Sequence, residues 1–179
     1  TLYNFSEQQL VECDKFSHGC NGGLMDNAFM HYFHKNPMDQ EEYPYDLPPK
    51  PYADCKDLPL VDGKYDKLTW GYRVDIGDEC LYEALTHGPV SVAIQADQDA
   101  FRYYHSGVLD TDACGINLNH GVLLVGYDAK TNAWRVKNSW GENWGDSGYV
   151  WISKTADQGT CGINQENSQP TYKDFDVKK

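Results

Sequence analysis

Length, composition and charge narrow the class of this chain before any motif is considered. With 179 residues, 40% hydrophobic and 13% aromatic, the sequence is that of one folded domain, which excludes a disordered chain and two independent domains. The net charge of −12 without a basic cluster argues against nucleic-acid binding, and the longest uncharged apolar run, about Gly121–Tyr127, is too short for a membrane span.

The first third of the sequence predicts helices. Ser6 and Gln9 form a capping box, in which the Ser6 hydroxyl accepts the Gln9 N–H and the Gln9 side chain reaches back to Ser6. The helix that follows should run to about Asp14. Between residues 22 and 36, apolar side chains recur at helical spacing, and Asn36-Pro37 should end that second helix. These apolar residues are Met25, Ala28, Phe29, Tyr32 and Phe33.

The remaining sequence predicts loops, one helix and several strands. Frequent prolines favour loops over residues 37–75, and Asp78–His87 predicts a helix that stops at Gly88-Pro89. The strand-like runs are Val90–Gln95, Gly121–Tyr127, Trp134–Lys137 and Tyr149–Ser153. Helices followed by strands predict an α+β protein with two unlike lobes, a helical lobe over about 1–75 and a β lobe over about 76–170, before a charged tail at 171–179.

Six cysteines bear on the compartment. They lie at positions 13, 20, 55, 80, 114 and 161 and form no C-x-x-C pair of the kind that binds zinc, which favours disulfides in an oxidising compartment. The acidic composition fits an acidic compartment and equally an ordinary solvated surface. A lysosome or vacuole, or secretion, is the predicted location, while spacing leaves the fifteen possible pairings open.

One spacing points to catalytic chemistry. His120 opens an apolar strand, Asn138 follows eighteen residues later, and Trp140 comes two residues after that. A histidine in such a place is by itself more often a core residue than a base. Asn138 changes this interpretation, because a carboxamide oxygen can accept the imidazole N–H and fix the tautomer and ring plane of a base. Trp140 could cover that hydrogen bond and exclude water from it.

Four motifs occur in an order and spacing that resemble those of papain-like cysteine peptidases, most of all the cathepsin L branch. They are Gly19-Cys20-Asn21-Gly22-Gly23-Leu24-Met25-Asp26, Tyr43-Pro44-Tyr45, Asn119-His120-Gly121 and Asn138-Ser139-Trp140-Gly141. The resemblance implies a papain-like two-lobe fold, a helical lobe plus an antiparallel β-barrel-like lobe, with its N-terminal part missing. It also implies hydrolysis of peptide or protein substrates through a thioester acyl-enzyme, with no cofactor and no metal.

The resemblance implies a role for each matching residue. His120 resembles the imidazole partner of the catalytic thiolate, Asn138 the residue that orients it, and Trp140 the shield over the pair. The positions that resemble substrate-binding residues are Gly22, Gly23, Leu24, Met25, Ala93, Leu118, Asn119, Trp144 and Glu166. Gly22-Gly23 would lie against the substrate backbone, although in isolation it reads equally as a turn that starts a helix.

Glu166 and Trp144 resemble residues that set specificity. Glu166 is similar to the floor of the pocket for the second residue on the acyl side, where a carboxylate would favour arginine and tolerate large apolar side chains. Trp144 is similar to the aromatic wall on the leaving-group side. Asn119 replaces the aspartate that is common before the histidine of this family.

The nucleophile is the missing part. The family motif C-G-[SA]-C-[WY] occurs nowhere in the chain, and counting back from His120 and Asn138 places that cysteine on the order of ten or more residues before Thr1. We therefore expect a preceding segment, continuous with this chain or separate from it, that supplies the nucleophile. This chain alone should not cleave peptides.

The resemblance also implies a cysteine pairing. It joins Cys13 to Cys55 and Cys114 to Cys161, and it pairs Cys20 with a cysteine of the missing segment, failing which Cys20 is free. Cys80 has no counterpart in the family and is expected to be a buried free thiol on the helix at 78–87.

Two other functions remain open beside an endopeptidase. A catalytically inactive homologue, with serine or glycine as the nucleophile, would act as a binding or structural protein. An unrelated disulfide-rich binding module would leave the set His120, Asn138 and Trp140 without a purpose. Retention of that set favours the peptidase.

Two lesser signals complete the sequence analysis. His31 and His34 lie three residues apart on the second helix, and solvated surface histidines are expected rather than a metal site because no third ligand is in view. Asn4-Phe5-Ser6 matches the N-glycosylation sequon, a pattern with many false matches.

Overall fold

The architecture, described by a computed structural model for residues 3–46, 55–56 and 68–172, is α+β, as predicted. The chain divides into two compact units. The first unit comprises Thr1–Tyr72 and Pro170–Lys179, and the second unit comprises Arg73–Gln169. The helices are α1 (Glu7–Cys13), α2 (Met25–His34), α3 (Asp78–His87) and α4 (Asp99–Arg102), with short 3-10 turns at Gly19–Asn21, Asp112–Cys114 and Thr160–Gly162.

The N-terminal cap of α1 is half of the predicted capping box. Ser6 Oγ accepts the Gln9 N–H at 3.1 Å, as predicted, and donates to Tyr43 O at 2.6 Å. The second half of the prediction is wrong, because the Gln9 side chain binds Asn36 O at 2.9 Å and Met38 N at 2.8 Å. The Ser6 N–H donates to Met38 O at 2.9 Å. The segment after α2 therefore supplies the hydrogen-bond partners that a capping box would have provided within the helix.

Helix α2 is shorter and less buried than its sequence pattern predicts. It begins after Leu24 and ends at His34, where the Lys35 N–H donates to His31 O at 3.0 Å. Among the ten residues of α2, all of them described, only His31 is buried, and the predicted apolar stripe is half-buried. The expectation of a solvated His31 is therefore wrong, since 5% of this residue is exposed.

Seven strands form one sheet among the described residues. They are β1 (Leu68–Val74), β2 (Val90–Ile94), β3 (Val108–Leu109), β4 (His120–Asp128), β5 (Ala133–Lys137), β6 (Tyr149–Ser153) and β7 (Asn167–Tyr172), in the order β1-β7-β2-β4-β5-β6-β3. β2 is antiparallel to β4 and β7, and β5 is antiparallel to β4 and β6. The short β3 pairs in parallel with β6.

Three strands were missed by the sequence analysis: β1, β7 and the two-residue β3. β1 occupies Leu68–Val74, where loops were expected, so the loop prediction for 37–75 is wrong at its end. β7 contains mostly polar residues and a proline, and a search for alternating apolar residues does not detect it. Its Gln169 amide donates to Gly88 O at 2.9 Å and to Ala84 O at 3.1 Å, so a polar strand residue binds the carbonyls at the end of α3.

The core of the second unit lies against β2, β4, β5 and β6. Its fully buried side chains include Leu81, Val90, Val92, Ile94, Phe101, Leu124, Trp134, Val136, Val150 and Ile152. Apolar residues face inward at alternate positions of β6, which is the pattern of a strand with one buried face. This packing holds the ends of β4 and β5 beside each other.

An ion-pair cluster joins the start of α3 to the end of β6. Lys154 Nζ binds the carboxylate of Asp78 and lies 2.7 Å from Glu79 Oε1. The hydrogen bond from Lys154 lowers the pKa of Asp78. Burial alone would lower the pKa of Lys154, but the hydrogen bonds with both carboxylates raise it. Each partner thus holds the other in its charged form.

Candidate active site

The ends of β4 and β5 bring His120 and Asn138 together. His120 is the first residue of β4, and Asn138 directly follows β5, whose Lys137 pairs with Leu123 of β4. The Asn138 N–H donates to Gly148 O at 2.9 Å, which fixes the backbone just beyond the strand. Antiparallel pairing places the beginning of one strand beside the end of the other, so residues eighteen apart in sequence meet.

The hydrogen bond between these residues defines the tautomer of the imidazole. His120 Nε2 lies 2.8 Å from Asn138 Oδ1, and the same oxygen accepts the Ser139 N–H at 2.8 Å. The backbone N–H identifies this atom of the amide as the oxygen, which can only accept. His120 Nε2 therefore carries a proton, and Nδ1 is the ring nitrogen left to exchange one.

An aromatic cluster surrounds this pair in the second unit. The ring of Trp140 lies 5.1 Å from the ring of His120, centroid to centroid, and Phe101 lies 5.5 Å from Trp140 and 5.0 Å from Trp144. Asn138 is buried, whereas 42% of Trp140 is exposed. Trp140 thus lies against the ring of His120 and is itself partly open to solvent.

Phe101 and Tyr104 belong to this cluster although no sequence motif singled them out. Phe101 is fully buried on α4, and Tyr104 follows that helix. The Tyr104 hydroxyl donates to Gly107 O at 2.6 Å and accepts the Trp151 N–H at 3.3 Å. Burial raises the pKa of Tyr104, which keeps it a neutral donor. Trp144 Nε1 donates to Arg102 O at 3.1 Å, so α4 also fixes the second tryptophan.

Gly22 and Gly23, which are predicted to lie against the substrate backbone, belong to the first unit. Gly22 follows the 3-10 turn at Gly19–Asn21 with φ of +103°, a backbone conformation that favours glycine. A Cβ on Gly23 would lie 2.4 Å from Ser17 Oγ, so a side chain there requires Ser17 to move. Leu24 is exposed and Met25 is half-buried at the start of α2.

The other residues that resemble substrate-binding positions lie in the second unit. Ala93 is buried in β2, and its N–H donates to Glu166 O at 3.0 Å. Leu118 is half-buried. Asn119 is exposed, but its Oδ1 accepts the Ala96 N–H at 2.9 Å. Hydrogen bonds from Gln95, Gln98 and Asn119 lower the pKa of the neighbouring Asp97. Asn119 therefore joins the start of β4 to the segment that follows β2.

Glu166 forms an ion pair that the sequence analysis did not anticipate. Its Oε1 lies 3.3 Å from Arg73 Nη2, with 28% of the Glu166 side chain and 59% of the Arg73 side chain exposed. The carboxylate thus has a guanidinium partner from the protein itself. Because the pair is accessible to solvent, its net contribution to stability is about 0–1 kcal/mol.

The cysteines form two disulfides, Cys13–Cys55 in the first unit and Cys114–Cys161 in the second. These are the pairs that the resemblance implies. Cys20 is a free, exposed cysteine. Cys80 is free as expected but only half-buried rather than buried.

The described residues contain neither a candidate metal site nor a candidate membrane span. No group of three or more His, Cys, Asp or Glu side chains in that part of the chain could hold a metal ion. No described helix is long and apolar enough to cross a membrane.

Comparison with known proteins identifies the family. Residues 1–171 match the family model described as papain family cysteine protease. The KDEL-tailed cysteine endopeptidase CEP2 of Arabidopsis thaliana is 41% identical over 99% of this chain and 52% of its own length. The thiol protease SEN102 of Hemerocallis sp. is 42% identical over 94% of this chain and 48% of its own length.

Solved structures agree with these relatives. The Carica candamarcensis cysteine protease CMS1MS2, in complex with E-64, superposes with a TM-score of 0.85 at 29% identity, covering 96% of this chain and 79% of that one. The proform of the ragweed pollen allergen Amb a 11, a cysteine protease, gives 0.83 at 36% identity, covering 98% and 54%. The chain spans about half the length of the two curated relatives above. From its sequence and its papain-like fold, the chain belongs to the papain family of cysteine proteases.

Proposed function

We propose that the complete protein is a cysteine endopeptidase and that this chain provides its acid–base machinery. The observation that carries the proposal is the hydrogen bond of 2.8 Å between His120 Nε2 and Asn138 Oδ1, beside the ring of Trp140. Because the Nε2–H of His120 is bound to Asn138, the other ring nitrogen, Nδ1, is left to form an ion pair with a thiolate. This is the arrangement that a cysteine nucleophile requires. In this proposal His120 is catalytic, Asn138 positions it, and Trp140 shields it.

The reaction is acyl transfer. The thiolate attacks the peptide carbonyl carbon, and the protonated His120 gives its proton to the leaving amine as the C–N bond breaks. A water molecule then attacks the thioester, His120 accepts its proton, and the thiolate leaves as the acid product is released. The thiolate and the imidazolium are thus restored.

The nucleophile, in this proposal, belongs to a segment that precedes Thr1, within the same chain or as a separate one. The chain lacks the family motif around the cysteine and spans about half of its relatives' length. The half-buried apolar face of α2 supports the proposal, because a further segment packed on Phe29 and Tyr32 would bury it. Cys20, free and exposed, would pair with a cysteine of that segment.

In the first unit, Gly22-Gly23, Leu24 and Met25 would contact a peptide or protein substrate. In the second unit, the proposed substrate contacts are Ala93, Leu118 and Asn119, with Trp144 on the leaving-group side. Glu166 would select arginine as the second residue on the acyl side. Its existing partner Arg73 competes for the same carboxylate, so arginine and large apolar residues would both be accepted. The disulfides fit work in a lysosome, a vacuole or the extracellular space.

Labelling by a thiol-directed epoxide tests the proposal. The complete protein should gain one epoxide adduct, located by mass spectrometry on a cysteine upstream of Thr1, and should cleave peptides. The 179-residue chain should do neither. A His120→Ala variant of the complete protein, which retains the thiol, should lose peptide cleavage. A complete protein that carries serine or glycine at the nucleophile position would instead be the inactive homologue with a binding or structural role.

Paired substrates test the role of Glu166. With peptides that differ only in arginine or leucine at the second position, Glu166→Ala should reduce kcat/KM for the arginine peptide by roughly tenfold and leave the leucine peptide unchanged. Arg73→Gln should raise kcat/KM for the arginine peptide up to about fivefold, because an exposed ion pair contributes at most about 1 kcal/mol. Equal losses for both peptides in Glu166→Ala would contradict the assignment.

A further inference from the structure

Three of the residues proposed to contact the substrate meet at one end of β2 in the second unit. The Ala93 N–H of β2 donates to Glu166 O at 3.0 Å. The Asn119 N–H donates to Ile94 O at 3.0 Å, which brings the preceding residue, Leu118, to the same strand end. The two apolar residues and the proposed floor of the pocket for the second acyl-side residue are thus joined through β2.

The loop 115–119, which carries Leu118, belongs to no helix or strand. The Cys114–Cys161 disulfide fixes the chain just before the loop, and the start of β4 at His120 fixes its end. Backbone groups outside regular structure need partners from side chains, other backbone or water. Between its two ends, the loop is held by side chains from neighbouring segments.

Gln95, which directly follows β2, holds this loop from the protein interior. Only 6% of Gln95 is exposed. Its Oε1 accepts the backbone N–H of Asn117 at 2.6 Å, and its Nε2 donates to Asp97 Oδ1 at 2.8 Å. Both ends of the amide are therefore bound, and the Asn117 N–H identifies which end is the oxygen. The hydrogen bond from Gln95 is the main cause that lowers the pKa of Asp97, which keeps this acceptor ionised.

The backbone of the loop leaves room for this amide. Gly115 has φ of +70°, a conformation that favours glycine, and a Cβ there would lie 2.2 Å from Gln95 Oε1. A side chain at position 115 would therefore displace the amide of Gln95. The backbone N–H of Gln95 also donates to Cys161 O at 2.8 Å, so the main chain of this residue is fixed as well.

A second glutamine holds the loop from the side of Glu166. Gln165 Nε2 donates to Ile116 O at 3.0 Å. Leu118 packs against Gly162, since a Cβ on that glycine would lie 2.8 Å from Leu118 Cδ2. The loop and the segment of Glu166 are thus connected directly as well as through β2. The pocket residues of the second unit are therefore preorganised, which reduces the cost of ordering them around a substrate.

We propose that Gln95 is a positioning residue that sets the selectivity for a large apolar residue at the second acyl-side position, because it holds Leu118 in place through the loop 115–119. This role rests on the proposed peptidase function. Loss of the amide releases the loop, so each substrate must order Leu118 anew and binds its apolar side chain less tightly. His120 is held separately by its pairing with Ile94, so the chemical step is unchanged for a substrate without that side chain.

Two peptides that differ only in leucine or glycine at the second acyl-side position test this role in the complete protein. Gln95→Met keeps the length of the side chain but removes its acceptor and donor. It should lower kcat/KM for the leucine peptide by roughly tenfold, mainly through KM, and leave that for the glycine peptide unchanged.

Gln98→Met is the matched control for this substitution. Gln98 is exposed and donates to the same Asp97 Oδ1 at 3.0 Å, but no hydrogen bond among the described residues joins its side chain to the loop. Gln98→Met should therefore change neither peptide.

An exchange of two side chains provides the rescue. Gln95→Glu combined with Asp97→Asn swaps the amide and the carboxylate. The swap retains an acceptor for the Asn117 N–H and a hydrogen bond between positions 95 and 97. This double variant should regain the preference of the parent for leucine. A double variant that behaves as Gln95→Met does would contradict the role of these hydrogen bonds.

Hydrogen exchange in the 179-residue chain tests the hold on the loop without any activity. The Asn117 amide should exchange several-fold faster in Gln95→Met than in the parent, in Gln98→Met or in the double variant. Exchange at the parent rate would overturn the proposal, and so would an unchanged preference for leucine. Equal losses for both peptides, together with a lowered melting temperature, would mean that Gln95 serves stability alone.

The two measurements also separate this inference from the function on which it rests. A complete protein that cleaves neither peptide would remove the peptidase function and the selectivity with it, whereas faster exchange of the Asn117 amide would still show that Gln95 holds the loop. A protein that cleaves both peptides, with a leucine preference that Gln95→Met does not alter, would keep the function and overturn only the role of Gln95.

Discussion

Strand β2 and helix α2 show how differently the two units are packed. In the second unit, four of the five residues of β2 are buried, and three of them are fully buried. In the first unit, a single residue among the ten described residues of α2 is buried, and it is a histidine rather than one of the apolar residues at helical spacing. Both elements have a pattern of apolar residues, but the described residues bury that pattern in β2 and leave it half-exposed in α2.

This difference teaches which parts of the proposed site depend on this chain alone. His120, Asn138, Trp140 and Phe101 contact each other within the second unit, whose core is closed around β2. The proposed base, His120, and its proposed positioning residue, Asn138, therefore need no further partner for their geometry. The apolar face of α2 would need a further segment to bury it. The proposed preceding segment therefore matters most for the first unit.

The largest effect is expected for a pair of core truncations. Ile94→Ala in β2 removes a fully buried side chain and should lower the free energy of unfolding by about 2–5 kcal/mol, with or without a preceding segment. Phe29→Ala in α2 removes a half-buried side chain and should cost about 1 kcal/mol in the 179-residue chain but about 3 kcal/mol in the complete protein.

Urea unfolding of each variant in both lengths of the protein measures these differences. Ile94→Ala is the control, because its cost should not depend on the added segment. If Phe29→Ala costs the same in both lengths, the segment does not pack on α2, and the contrast between the two units has another origin.

The next effect concerns the closed site of the second unit. Asn138→Ala should reduce kcat/KM of the complete protein by roughly 10²-fold, at the low end of the range for general acid–base catalysis because His120 itself remains. The ¹⁵N NMR signals of the imidazole should show that the Nε2–H tautomer is no longer fixed. Asn138→Asp, which keeps an acceptor oxygen, should restore that tautomer.

Asn117→Ala provides the matched control, since Asn117 is an exposed asparagine of the same unit. It should change neither the rate nor the imidazole signals. A merely structural role for Asn138 would lower stability and leave the tautomer of His120 as it is, which is the result that would overturn its assignment as the positioning residue.

The smallest effect concerns the ion-pair cluster of Lys154. Lys154→Met keeps the apolar stem and should lower the free energy of unfolding at pH 7 by about 1 kcal/mol. Because the hydrogen bond from Lys154 lowers the pKa of Asp78 in the folded state, this stabilisation is fully present above about pH 4 and disappears as the pH falls through the lowered pKa.

Unfolding curves of the parent and of Lys154→Met, measured between about pH 7 and pH 2, should therefore converge at the acid end. Curves that stay equally far apart throughout would mean that the lost cation–π contact with Trp134, whose ring centroid lies 5.8 Å from Lys154 Nζ, explains the loss rather than the ion pair with Asp78.

Local signals predicted much of the fold. Asp78–His87 and Tyr149–Ser153 have the predicted boundaries, because Gly88-Pro89 ends the helix and alternating burial defines the strand. β7 escaped prediction because its buried residues are polar, and one of them, Gln169, binds distant partners, the carbonyls at the end of α3. The predicted partner of the Gln9 side-chain amide was wrong because its actual partners, Asn36 and Met38, lie far along the chain.

The candidate site was predicted to a similar extent. The spacing of His120 and Asn138 indicated a hydrogen bond because adjacent antiparallel strands place such residues together. The enclosure by Phe101 could not be read from sequence, because α4 has only four residues and no distinctive pattern. The Arg73–Glu166 pair also lay beyond the sequence, since it joins residues from β1 and from the turn before β7.

The cap of α1 has a consequence for the order of events during synthesis. Asn4 is exposed, but the hydroxyl of Ser6, which completes the sequon, is buried and bound to Tyr43 O and the Gln9 N–H. A glycosylating enzyme that must reach this hydroxyl can do so only before Tyr43 has been placed against it. Any glycan on Asn4 would therefore be attached before the first unit has folded around Ser6.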